Sequence, residues 1–150
     1  MAAATLRPGL GSRRRRRLVK AGLFGKATLW FATLVASALF LLAGTQKLAA
    51  SPPHPTNFIG WGYPLWVMFF VGAVETAGAI LLLVPRLTSF GAALISAVML
   101  GAIVTHIVHA EWLALITPFT LLALVSLIGV SRSDLSPLRI LRARRARARG

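Results

Sequence analysis

The stretch PLWVMFFVGAVETAGAILLLVPR, Pro64 to Arg86, decides the fold. Between its two prolines lie twenty residues, and Glu75 is the single charged side chain among them. At 1.5 Å per residue such a helix is ~30 Å long, the thickness of a bilayer's hydrocarbon core. Backbone polar groups find no water there, so the segment must satisfy them within itself, as a helix. Proline disfavours continuation at either end.

Three further apolar runs repeat the pattern. They are 27–48, 88–109 and 112–130, alongside 64–84. The fold expected is an all-α integral membrane protein, an antiparallel four-helix transmembrane bundle. The domain reading is a basic arm (1–26), a four-span domain (27–130) and an Arg-rich tail (131–150). Ser51-Pro52-Pro53-His54-Pro55 separates the first two spans. Hydrophobic residues make up 57% of the 150, and net charge is +14. Mean hydropathy is +0.76. These values exclude a disordered chain and an ordinary soluble domain.

Of the 17 Lys and Arg residues, eight precede Ala27 and seven follow Val130, with Lys47 and Arg86 between. The loops 49–63 and 110–111 carry none. By the positive-inside rule both ends of this multi-pass chain lie in the cytoplasm. Trp61, Tyr63, Trp66 and Trp112 fall at the opposite ends of the spans, where amphipathic rings favour the interface. Arg16-Arg17-Leu18-Val19-Lys20 faintly resembles a twin-arginine export signal, and Leu48-Ala49-Ala50 a cleavage site. The first run is long for a signal core and ends on a charge, which favours a retained span.

Helices in lipid approach one another through small residues. Gly44, Gly72, Gly78 and Gly101 are the close-packing candidates. Ala93, Ala97, Gly101 and Thr105, spaced by four, read as packing inside the bundle or as a homodimer face.

Ionisable groups inside a span are costly, about 3 kcal/mol at the centre, and each requires a reason. Glu75 lies eleven positions after Pro64, ~16 Å along a helix. Gly72 and Gly78, at i−3 and i+3, leave room beside it. Lys47 near the end of the first span has two readings. One is snorkelling to the headgroups. The other is a direct or water-bridged pair with Glu75, across an expected depth difference of ~10 Å. His106 and His109 share a face, but a metal reading needs Glu111 or His54 to swing in, so no metal is expected. His109 reads as interfacial, and His106 as bonded to another span or a ligand. The ligand-binding or polar cluster is Gln46, Lys47, Glu75 and His106. Acid, base and imidazole together suit a polar head group with an apolar tail, such as a quinone. The competing reading is a structural bolt between helices.

Cysteine is absent. Thiol redox catalysis and cysteine-ligated clusters are excluded, so any redox role borrows its carrier. No catalytic residue is assigned, and no covalently bound cofactor is expected. The basic ends suit anionic lipids, and the tail from Pro137 suits an interfacial helix. Nucleic acid is disfavoured for want of aromatic interleaving.

Three segments carry a family resemblance: Phe40-Leu41-Leu42-Ala43-Gly44-Thr45-Gln46-Lys47-Leu48; Gly72-Ala73-Val74-Glu75-Thr76-Ala77-Gly78-Ala79-Ile80-Leu81-Leu82, followed by Pro85; and Met99-Leu100-Gly101-Ala102 leading to His106. In order and spacing they resemble the DoxX and DoxX-like family over about Phe31–Val130. That resemblance implies a four-helix bundle in the cytoplasmic membrane. Some relatives are named as subunits of quinone-linked oxidoreductases, such as thiosulfate:quinone oxidoreductase. It implies a non-catalytic accessory or anchor subunit that holds a quinone or docks a partner oxidoreductase subunit. Two other classes compete: a structural anchor recruiting acidic partners or lipids through its basic ends, and a proton-coupled small-molecule carrier.

Overall fold

The structure, a computed structural model, describes the backbone of residues 10–132 and the side chains of residues 25–132. The Arg-rich tail and its expected helix lie outside the described residues. The chain divides into two compact units, residues 1–31 and 32–150. The described part of the first is helical throughout. All packing discussed below belongs to the second.

Five α-helices follow in order: α1 (Leu10–Leu48), α2 (His54–Gly60), α3 (Leu65–Leu83), α4 (Thr88–Val108) and α5 (Ile116–Ser131). A 3-10 turn, Trp112–Leu115, leads into α5. Four helical segments are long and apolar enough to cross a membrane: Gly25–Leu48, Leu65–Leu83, Thr88–Val108 and Trp112–Ser131. They match the expected spans to within two residues at each end. Two features differ from expectation. Helix α1 begins at Leu10, so the run Arg13–Arg17 continues the span's helix. The proline-rich loop contains α2, for which Pro55 supplies a favourable first-turn residue because its missing N–H would have no helical partner.

Helix ends follow local chemistry. Val84 is extended (ψ 110°) because Pro85 follows it, and that stops α3. The Thr88 hydroxyl sits 3.1 Å from the carbonyls of both Leu82 and Val84, tying the α3–α4 turn. Helices α1 and α4 end alike. Ala50 (φ 49°) and Ala110 (φ 54°) take left-handed conformations. The next N–H then returns to a carbonyl five residues back, Ser51 to Gln46 and Glu111 to His106, both at 2.9 Å. This termination usually employs glycine.

Glycines set the close contacts. A Cβ on Gly44 would meet the Gly72 carbonyl at 2.8 Å and the Thr76 nitrogen at 2.9 Å, so α1 lies against α3. A Cβ on Gly91 would meet the Gly78 carbonyl at 2.6 Å and the Leu82 nitrogen at 2.8 Å, bringing α4 equally close to α3. Gly129 of α5 sits against Ala92, and its carbonyl accepts from the Ser89 hydroxyl at 3.3 Å. Gly101 makes no close contact within the chain. A Cβ there would meet nothing within 4 Å. The stripe Ala93, Ala97 and Gly101 is exposed, and α4 packs through Gly91, Ala92 and Ile95 instead. Leu82, Ile95, Val125 and Ile128 form the fully buried core of the second unit with Met68, Phe40 and Ala36.

Candidate functional site

Lys47 and Glu75 form a direct ion pair. Lys47 Nζ donates to Glu75 Oε2 at 2.8 Å, and the side chains are 12% and 3% exposed. Lys47 therefore does not snorkel to a surface. The reason is the glycine contact. A Cβ on Gly72 would touch Lys47 Cβ at 2.9 Å, so Lys47 leaves its helix level with Gly72. Glu75 is three residues further, ~4.5 Å of rise, well under the expected ~10 Å. Two glycines thus bring a lysine stem within reach of a carboxylate that would otherwise be an unpaired charge in an apolar layer.

A second polar group closes the same end. His106 Nδ1 lies 2.7 Å from Glu111 Oε2, and Trp61 Nε1 donates to Glu111 Oε1 at 3.0 Å. The Trp61 ring meets the imidazole edge-on, centroids 5.3 Å apart. Glu111 is five residues beyond His106, a spacing that on a continuous helix would point elsewhere. The left-handed turn at Ala110 folds it back under the imidazole. The bonds from Trp61 and then His106 hold the Glu111 carboxyl below the ordinary carboxylate range.

Tyr63 forms a third connection, its hydroxyl 3.0 Å from Thr105 Oγ1. The Thr105 hydroxyl already donates to the Gly101 carbonyl at 3.0 Å, so Tyr63 is the donor between them. His109 Nδ1 donates to the Thr105 carbonyl at 2.8 Å. His54 on α2 has its pKa lowered by burial and by nearby Lys47.

All of these groups but Glu111 and His109 border a cavity of 820 Å³ reached by α1, α2, α3, α4 and α5. Its walls are apolar: Phe40, Ala43, Val71, Val74, Val98, Ala102, Pro118 and Leu121 among them. Lys47, His54, Asn57, Trp61, Tyr63, Glu75, Thr105 and His106 supply its polar lining. Such a space, mostly apolar with a few convergent polar groups, is the usual form of a small-molecule site. Its chemistry suits an amphiphile whose head hydrogen-bonds and whose body needs no partners.

Of the four cluster residues expected from the sequence, Lys47, Glu75 and His106 line this cavity. Gln46 does not. It is exposed, with its amide oxygen 3.4 Å from His54 Nε2. Sequence reasoning missed Glu111 as the partner of His106. It also placed Trp61 and Tyr63 at the interface with Trp66 and Trp112. Trp66 and Trp112 are 67% and 66% exposed, while Trp61 and Tyr63 turn inward. The available signal was the two-residue connection Ala110–Glu111, too short to carry Glu111 away from the end of α4.

Residues 31–128 match the profile of the DoxX-like family. Among curated proteins and among solved structures, no match to the chain is found.

Proposed function

The chain belongs to the DoxX-like family, and from that premise we propose that this multi-pass membrane protein holds a quinone-like or lipid amphiphile in its cavity. It does so as a non-catalytic accessory or anchor subunit of a quinone-linked redox system. One observation carries the reading: an apolar cavity of 820 Å³ whose polar lining includes an ion pair, an imidazole and a tyrosine. A quinone-like head supplies oxygens that can pair with these polar groups, and its tail matches the walls. The sequence has no cysteine, so electrons would pass through a bound carrier or a partner protein.

The same reading includes an antiparallel bundle with both ends cytoplasmic. Close contacts pair Gly44 with Thr76 and Lys47 with Gly72, and likewise Gly78 with Ile95 and Leu82 with Gly91, which supports opposed directions for neighbours. The Lys and Arg distribution supports the orientation. The basic ends then meet anionic lipid.

The test is native mass spectrometry of gently extracted protein, with lipid extraction of what stays bound. A retained quinone or prenyl lipid is expected, and Gly101→Phe, which puts a ring into open space beside the cavity, should lose it without unfolding. A wild-type bundle that retains nothing, or a variant that retains as much, overturns the assignment.

A further inference from the structure

His106 is built to a pattern that the ion pair lacks. Glu111 Oε1 accepts from Trp61, whose indole nitrogen can only donate. Glu111 Oε2 faces His106 Nδ1 at 2.7 Å. An ionised carboxylate is an acceptor only, so Nδ1 carries the proton. Its partner's protonation thereby selects the tautomer of a neutral imidazole, leaving Nε2 as a bare lone pair. Trp61 packs edge-on against the ring and limits its rotation. His106 lines the cavity, and among the described residues no hydrogen bond is made by Nε2. The carboxylate is 40% exposed and the imidazole 16%, so the charge stays near water while the acceptor serves the cavity.

Resting on the proposed amphiphile site, we infer that His106 Nε2 is a head-group receptor that takes a hydrogen bond from a ligand hydroxyl, with Glu111 as its positioning residue. The ligand class is thus narrowed to a hydroxyl-bearing amphiphile, a hydroquinone or phenol rather than a fully oxidised quinone. The remaining polar groups fit the same head. Lys47 spends one of its three protons on Glu75, and Tyr63, whose proton goes to Thr105, retains acceptor capacity. A hydroquinone oxygen both donates and accepts, and a quinone oxygen only accepts.

The experiment uses the full chain in nanodiscs and titrates three probes: decylhydroquinone under anaerobic reduction, its dimethyl ether, and decylquinone. Quenching of tryptophan fluorescence reports binding, with calorimetry as the second readout. At pH 8 the hydroquinone should bind about ten-fold or more tightly than the ether, the scale of a hydrogen bond whose acceptor is otherwise unmade. His106→Phe should level the three affinities. Glu111→Gln should reduce the preference for the hydroquinone over the ether. If the wild type binds ether and hydroquinone equally, the hydroxyl receptor is overturned while the cavity site stands. If His106→Phe keeps the preference, the receptor is another residue and the inference fails. If no probe binds, both the inference and the amphiphile site fall.

Discussion

The two ends of the second unit are built from different residue types and packed differently. Around Gly78, Gly91 and Gly129 the helices α3, α4 and α5 meet with backbone atoms against small side chains. Leu82, Ile95, Val125 and Ile128 fill what remains, each fully buried. Around Lys47, Trp61, His106 and Glu111 the helices part and leave 820 Å³ between them. There, α1 and α3 still touch through Gly44 and Gly72, and polar contacts link the groups around the space. In lipid no hydrophobic force draws helices together, so close packing is what stabilises the first end. The second end adds an ion pair and hydrogen bonds to the single close contact of α1 with α3.

The largest contrast between the ends concerns charge. Lys47→Met leaves Glu75 without its counter-ion at a nearly dry site and should cost about 3–5 kcal/mol of stability. The double change Lys47→Met with Glu75→Leu should recover most of that loss, because neither group is then stranded. Thermal unfolding in detergent checks both. A single variant as stable as the wild type would mean that the pair contributes nothing to holding this end.

Glycine substitutions come next. Gly91→Ala forces a methyl into the Gly78 carbonyl and the Leu82 backbone, and should cost roughly 1–3 kcal/mol. Gly101→Ala meets open space and should be neutral or stabilising by up to about 1 kcal/mol, from helix propensity. Equal melting temperatures for the two variants would erase the distinction between a packed end and an open one.

The smallest effect is that of pH, and it is confined to the open end. His54 and Glu111 both have pKa values lowered in the folded chain, so the folded state binds fewer protons than the unfolded state. Stability therefore falls on acidification. The His54 contribution is present above the ordinary histidine value of about 6.5 and is lost as pH drops through its folded value. The Glu111 contribution is lost similarly below about 4.3. Hydrogen exchange should show α2 and the Ala110–Glu111 turn opening first as pH falls, with the Gly78–Gly91 contact unchanged. Simultaneous opening at both ends would contradict this.

Much of this was legible in the chain. The four spans were visible because apolar length is local information, and a bilayer imposes one thickness on every crossing. Glu75 stood out for the same reason, being a lone charge in the run 65–84. Gly44 and Gly72 were recognisable as small, although their effect on Lys47 was not. Fixed positions along separate helices suggested a gap of ~10 Å, and the contact between α1 and α3 removed it. Trp61 and Trp66 are indistinguishable by composition. One turns inward because Glu111 waits for its N–H, and that partner lies fifty residues away.

Taken by itself, the sequence determined that the chain is helical, how many helices can cross a membrane, where the basic residues concentrate and which charge lies within a span. Each of these follows from the properties of a single segment and the solvent around it. Only the tertiary structure decided that Lys47 bonds Glu75, that Glu111 holds His106, that Gly101 borders open space, and that the polar groups share one cavity. Those outcomes depend on the register between helices. Register is set by a few close backbone approaches, and hydropathy carries no information about them.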